Sequence, residues 1–287
     1  MKKATIILIL LLSSNLLFPQ LEISEKIKIK RENLSLKGTI FPVKGKGLFP
    51  TVLLLNGFPG GELDVLGIGE KLQTAGIVTL TFNYSGTYES EGKYSMEYTM
   101  KDIEAAFDFL KKSNSIEKYH IDTSKIFLGG YSYGGGMSLT YAANHSGIKK
   151  VFSIAGTDHG EFFREYFKNE KFAQMIDSMF EQLKAPNGPV RFEEGKMPKD
   201  VSAEDVQRIK APIDLRACAP LIADRKILLF AGIDDTMVTM ENHMLPLYRA
   251  LQDENAENVK FVTFQDDHSF KKSRGQISDI IVNWVKN

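Results

Sequence analysis

Apolar and β-branched residues gather in eight short runs along the chain, at 26–30, 36–41, 51–55, 78–82, 126–128, 151–154, 227–230 and 259–264, with turn-forming residues between them. Runs of this kind predict strands. From 51 onward the runs alternate with segments of helical period, the pattern of a mostly parallel eight-stranded sheet with helices on both faces. The first two runs stand too close together for a crossover helix, so they are expected to pair antiparallel at one edge of the sheet. Met100, Ile103, Phe107 and Leu110 recur on one helical face, as do Ile277, Ile280, Ile281, Trp284 and Val285. Both stripes predict helices that cover the sheet, with their aromatic and Met residues in the core.

The β/α rhythm stops between 158 and 221, which predicts a helical cap inserted into the domain. Phe172, Met175, Ile176, Met179, Phe180 and Leu183 repeat at helical spacing before the run Ala185-Pro186-Asn187-Gly188-Pro189 breaks the chain. Ser202, three residues before Asp205, has the spacing of a capping box and starts a second helix. The segment is rich in aromatics: Phe162, Phe163, Tyr166, Phe167, Phe172 and Phe180. Some of these are expected to line an apolar pocket facing Ser132, the alternative being that they dock the cap onto the domain.

Lys2 and Lys3 precede an apolar run at 4–12 that Ser13, Ser14 and Asn15 interrupt. That order predicts a signal peptide over 1–20 and a secreted or periplasmic protein, for the run is well short of the ~20 residues of a membrane-spanning helix. No stable membrane anchor is expected. The remaining 21–287 suit one α/β domain. Hydrophobic residues at 43%, charged residues at 25% and a formal net charge of zero give no basic field for nucleic acid. Cys218 is the single cysteine, so no intrachain disulfide forms, and it reads as a small buried apolar residue.

The most informative string is Gly130-Tyr131-Ser132-Tyr133-Gly134, directly after the run at 126–128 and directly before a helix-capable segment. Strand, sharp turn and helix in that order hold a serine exposed at the top of a sheet, and Gly130 and Gly134 leave room for the turn. With Phe49-Pro50-Thr51-Val52-Leu53-Leu54-Leu55-Asn56-Gly57 upstream and Ile121 to Ile126 leading into the serine strand, the chain resembles the α/β-hydrolase superfamily. The resemblance is to catalytic domains of the prolyl-oligopeptidase and dienelactone-hydrolase type, and it runs from Phe49 to the C-terminus apart from the cap.

A serine hydroxyl needs a base beside it, and the base needs a group that fixes its tautomer. The fold implies the chain order Ser, then Asp or Glu, then His, each partner following a later strand. Asp235 fits the family spacing of glycine, two residues, aspartate, two residues, valine in Gly232 to Val238, while Asp234 is one residue out of register. Asp158, after the run at 151–154, is the reserve acid. His268 alone among the five histidines follows the last strand, so it is the expected base. His120 and His145 read as surface residues and His243 as an early residue of a helix. His159, at the start of the cap, is either an ordinary loop residue or a substrate contact.

The resemblance further implies an oxyanion hole made by the backbone N–H groups of Phe58 and Tyr133. Relatives often carry histidine where Asn56 stands. The loop from Asn83 to Gly92 resembles one that the family places beside its active site, and it reads as structural. The histidines are scattered and no zinc-like spacing or phosphate loop is present, so no metal and no cofactor are expected. The expected function is a serine hydrolase that cleaves carboxylic esters of small molecules. A peptidase or acyl-peptide hydrolase is the alternative within catalysis, and a non-catalytic binding module the alternative outside it.

Overall fold

The computed structural model describes residues 24–61, 64–209 and 213–287. The expected signal peptide lies outside the described residues. Eight strands form one sheet: β1 (Glu25–Arg31), β2 (Leu34–Phe41), β3 (Phe49–Leu55), β4 (Val78–Phe82), β5 (Ile121–Tyr131), β6 (Lys150–Ile154), β7 (Lys226–Gly232) and β8 (Val259–Phe264). Their spatial order is β1-β2-β4-β3-β5-β6-β7-β8. β1 pairs antiparallel with β2 and β2 antiparallel with β4, and the remaining pairings are parallel. The expected strand at 126–128 is the inner part of a longer one, because β5 also pairs Ile121 with Phe49 before its register shifts.

The helices are α1 (Ile68–Thr74), α2 (Met96–Lys111), α3 (Ser113–Tyr119), α4 (Tyr133–Asn144), α5 (His159–Lys168), α6 (Glu170–Lys184), α7 (Ala203–Arg208), α8 (Leu215–Ile222), α9 (Met244–Asp253) and α10 (Arg274–Lys286). Successive strand residues face opposite sides of the sheet, and both sides are covered. Leu53, Leu55, Ile227 and Leu229 pack into one core with residues of α2, α4, α8 and α9. Val52, Leu54, Leu228 and Phe230 pack into another with α1 and α10. Double coverage is why these strands read as unbroken apolar runs rather than alternating ones. Full burial of each such side chain stabilises the fold by roughly 1.5–3 kcal/mol relative to exposure.

The expected cap boundary at 221 falls inside α8. Leu215, Cys218, Ala219 and Ile222 are buried in the main core, so α8 is a core helix packed on α4 and α9, and the peripheral helices end with α7. The periodic stripe of α6 buries only Ile176 fully, while Met175 and Met179 are exposed. The capping box of α7 is present, with Ser202 Oγ accepting from Asp205 N–H and the Asp205 carboxylate accepting from Ser202 N–H. The segment after α6 is tied to the loop after β4: Thr87 bridges Val190, Tyr94 bridges Phe192, and Arg191 donates to the carbonyls of Tyr88 and Ser90. Among the described residues no helix is long and apolar enough to cross a membrane.

From β3 the chain steps one way to β4, then returns past β3 to β5. This reversal opens a crevice beyond the carboxyl ends of β3 and β5, the place where open α/β sheets hold ligands. The loop after β3 contains Phe58, and the turn after β5 contains Ser132.

Candidate active site

Ser132 joins β5 to α4 with φ 54° and ψ −122°, a conformation that L-residues rarely adopt. Its main chain is locked, with its N–H donating to Ile154 O (2.8 Å) and its carbonyl accepting from Thr157 N–H (3.0 Å) and Gly136 N–H (3.1 Å). The two flanking glycines answer to close approach. A Cβ on Gly130 would collide with the Gly134 carbonyl, and one on Gly134 with the Asn56 carbonyl. Gly134→Ala is therefore expected to cost roughly 1–3 kcal/mol through overpacking against main chain. Thermal unfolding checks this, and an unchanged melting temperature would show that the turn tolerates a side chain.

The structure brings together the three side chains singled out in the sequence. His268 Nε2 lies 3.0 Å from Ser132 Oγ, and His268 Nδ1 lies 2.6 Å from Asp235 Oδ2. The other oxygen of Asp235 accepts from Met237 N–H and Val238 N–H, each at 2.9 Å. With the carboxylate on Nδ1, the imidazole carries its proton there and presents Nε2 as an acceptor to the serine hydroxyl. The Asp235 side chain is fully buried and that of His268 is 16% exposed, so water reaches the imidazole but not its partner.

Asp234 and Asp158 are engaged elsewhere. Asp234 accepts from Gln265 Nε2 at 2.7 Å. Asp158 is fully buried at the N-cap of α5, accepting from Glu161 N–H (3.0 Å) and Leu215 N–H (3.1 Å). Burial pushes its carboxyl up to about 6. It does not contact His268 through these bonds; its role is to tie α5 to α8. His243 is buried at the N-cap of α9 with Nδ1 accepting from Asp158 N–H at 3.1 Å. His120 is exposed, and His145 stacks on Tyr141.

Tyr133 opens α4, so its N–H is among those a helix start leaves without an intrahelical partner. The Phe58 loop approaches the same turn, since a Cβ on Gly57 would stand 3.4 Å from Ser132 Cβ. Asn56 braces this loop against β4. Its Nδ2 donates to Thr81 Oγ1 and Phe82 O at 3.0 Å each, and its carbonyl accepts from Tyr84 O–H at 2.6 Å. Phe58 stacks on Phe180 at 5.3 Å and contacts Tyr94, Tyr133 and Phe192, so one of the six aromatics reaches the Phe58 loop. Phe162, Phe163, Tyr166, Phe167 and Phe172 pack on one another and join α5 to α6.

Two supporting residues escaped the sequence reading. Tyr131, inside the serine motif, donates from its O–H to His268 O at 2.9 Å and lies with its ring 5.1 Å from the imidazole. Asp266, buried two residues before the histidine, accepts from Lys272 N–H and Ser273 O–H at 2.9 Å each and so closes the loop that carries His268. Nothing local distinguishes Asp266 from its exposed neighbour Asp267, and only the fold reveals the difference. Among the described residues no group of three or more His, Cys, Asp or Glu side chains is placed to hold a metal ion.

Comparison with known proteins agrees with this architecture. Cutinase 2 of Thermobifida cellulosilytica is 25% identical over 118 residues, which cover 41% of this chain and 43% of the cutinase. The chain thus spans less than half the length of the curated relatives it matches. Est1E from Butyrivibrio proteoclasticus, solved with ferulic acid bound, superposes with a TM-score of 0.62 at 18% identity over 91% of this chain and 98% of that one. An acylaminoacyl peptidase of Pyrococcus horikoshii superposes with a TM-score of 0.66 at 17% identity over 95% of this chain and 43% of the peptidase. The family model for the alpha/beta hydrolase fold matches residues 50–194, half of the chain and the part that holds both the Phe58 loop and the Ser132 turn. By sheet order, by the turn at Ser132 and by this match, the chain belongs to the α/β hydrolase fold family.

Proposed function

We propose that the protein is a serine hydrolase that cleaves carboxylic esters through an acyl-enzyme. The observation that carries this reading is the continuous hydrogen-bonded line from Asp235 through His268 to a serine held at a positive φ. Ser132 Oγ attacks the ester carbonyl carbon as its proton passes to His268 Nε2, and the backbone N–H groups of Phe58 and Tyr133 take the oxygen's developing charge. The C–O bond to the alcohol then breaks, and His268 returns the proton to the departing oxygen. Water, deprotonated in turn by His268, attacks the acyl-enzyme, which releases the carboxylic acid and restores Ser132.

The substrate class follows from the aromatic wall of Phe58, Phe180 and Phe192 beside the serine turn. Such a wall suits small or medium acyl groups, and the relatives named cutinase and the esterase fold neighbours accord with ester chemistry. Two measurements test this. A fluorophosphonate is expected to label Ser132, where a non-catalytic binding module would take no label. On the same enzyme, kcat/KM for p-nitrophenyl esters of increasing chain length is expected to exceed that for aminoacyl and dipeptidyl p-nitroanilides. Anilide turnover equal to or above ester turnover would make the protein a peptidase.

A further inference from the structure

His159 is the first residue of α5 and only 4% exposed, and among the described residues neither of its ring nitrogens has a hydrogen-bond partner. Its ring meets that of Tyr133 edge-on, with centroids 5.0 Å apart. Its Cε1 lies 2.8 Å from where a Cβ on Gly136 would stand. Tyr133 and Gly136 form the first turn of α4, so the imidazole rests against the segment that follows the nucleophile. His243 is close by, its Nδ1 accepting the N–H of Asp158, the residue before His159, at 3.1 Å. The ring therefore rests at the start of α5 against the first turn of the helix that follows Ser132.

The other polar groups around it are occupied. Ser132, His268 and Asp235 bond one another, Asp158 holds Glu161 and Leu215 N–H, and His243 Nδ1 takes the Asp158 N–H. Burial, with His243 beside it, pulls the pKa of His159 down to about 3. The ring is thus neutral across the working range and offers one N–H donor and one bare nitrogen acceptor. A buried imidazole with both nitrogens unpartnered costs folding free energy, and the general remedy is a ligand group that supplies the missing bonds.

We infer that His159 is a specificity-determining residue that hydrogen-bonds a hydroxyl group on the acyl chain of the substrate, an assignment that rests on Ser132 being the nucleophile. The acyl side is assigned because His159 is enclosed, and the acyl group is the part of the substrate that stays attached to Ser132 after the alcohol has left. A hydroxyl is indicated because it both donates and accepts. A carboxylate would call for a protonated ring, which burial opposes, and a plain alkyl chain would leave both nitrogens bare.

The test compares p-nitrophenyl 3-hydroxybutyrate with the butyrate and p-nitrophenyl 6-hydroxyhexanoate with the hexanoate, in the unsubstituted enzyme and in His159→Phe, His159→Leu and His159→Gln. One hydroxylated ester of the two pairs is expected to be favoured in kcat/KM by about tenfold or more over its plain counterpart. His159→Phe and His159→Leu remove that preference while plain-ester turnover stays within about threefold, and His159→Gln, which keeps a donor and an acceptor, retains part of it. Should the bulkier Phe fail to fold, Leu against Gln carries the comparison. Equal rates for both members of each pair in the unsubstituted enzyme, or an equal loss on both members in the Phe, Leu and Gln variants alike, would overturn the assignment alone. An enzyme that turns over no ester and takes no fluorophosphonate at Ser132 would overturn the hydrolase reading and this assignment with it.

Discussion

Ser132→Ala and His268→Ala are each expected to lower kcat for ester hydrolysis by about 10⁴–10⁶-fold while the protein still melts cooperatively near the temperature of the unsubstituted chain. The magnitude follows from how the groups depend on one another. Without the serine there is no covalent intermediate, and without the imidazole the hydroxyl 3.0 Å away has nowhere to place its proton. The two losses should not add, because each removal already disables the same step. The double variant is therefore expected to be about as slow as either single one. The fold is spared because the Ser132 turn is fixed through its main chain, by Ile154, Thr157 and Gly136, and none of those bonds uses the hydroxyl. Near-normal turnover in either single variant, measured against a circular-dichroism check of folding, would remove these residues from the reaction.

The second large effect separates the aspartates. Asp235→Asn is expected to lower kcat by about 10⁴-fold, since an amide facing Nδ1 favours the wrong tautomer and turns the ring's proton toward the serine. Asp158→Asn should behave differently, with turnover changed little and melting temperature reduced, because Asp158 holds two backbone N–H groups that join α5 to α8. Its pH signature differs as well. Burial raises the folded pKa of Asp158 to about 6, above its ordinary value of 3.8. The folded state thus holds this proton more tightly than the unfolded one. The stability it contributes is fully present below pH 3.8 and is lost as pH rises through about 6, a trend that Asn removes. Should Asp158→Asn prove the more damaging to kcat, the acid would belong after β6 instead of β7.

The strands were legible because burial on both faces leaves a plain signature, a short run with no polar interruption. All eight runs correspond to strands of the single sheet. Ser132 was legible because its turn needs glycine on both sides for reasons of close approach that hold wherever this geometry occurs. What the chain did not disclose depended on partners remote in sequence. α8 has the composition of either a peripheral or a core helix, and only its packing against α4 and α9 decides which. Asn56 is unremarkable in sequence until Thr81, Phe82 and Tyr84 stand around it. The aromatics of α5 and α6 share one composition, yet of the six only Phe180 turns to the Phe58 loop.

The bond between the loop after β4 and the segment after α6 divides labour between kinds of atom. Main-chain bridges at Thr87–Val190 and Tyr94–Phe192 hold the two segments together, and the carbonyls that receive Arg191 belong to the same backbone. The acyl-facing surface proposed above is made by side chains, Phe58, Phe180 and Phe192, which pack ring against ring. On that proposal, a change of one of these rings reshapes the acyl pocket while the main-chain bridges remain. Selectivity would then drift under mutation while the link between the two segments stays put.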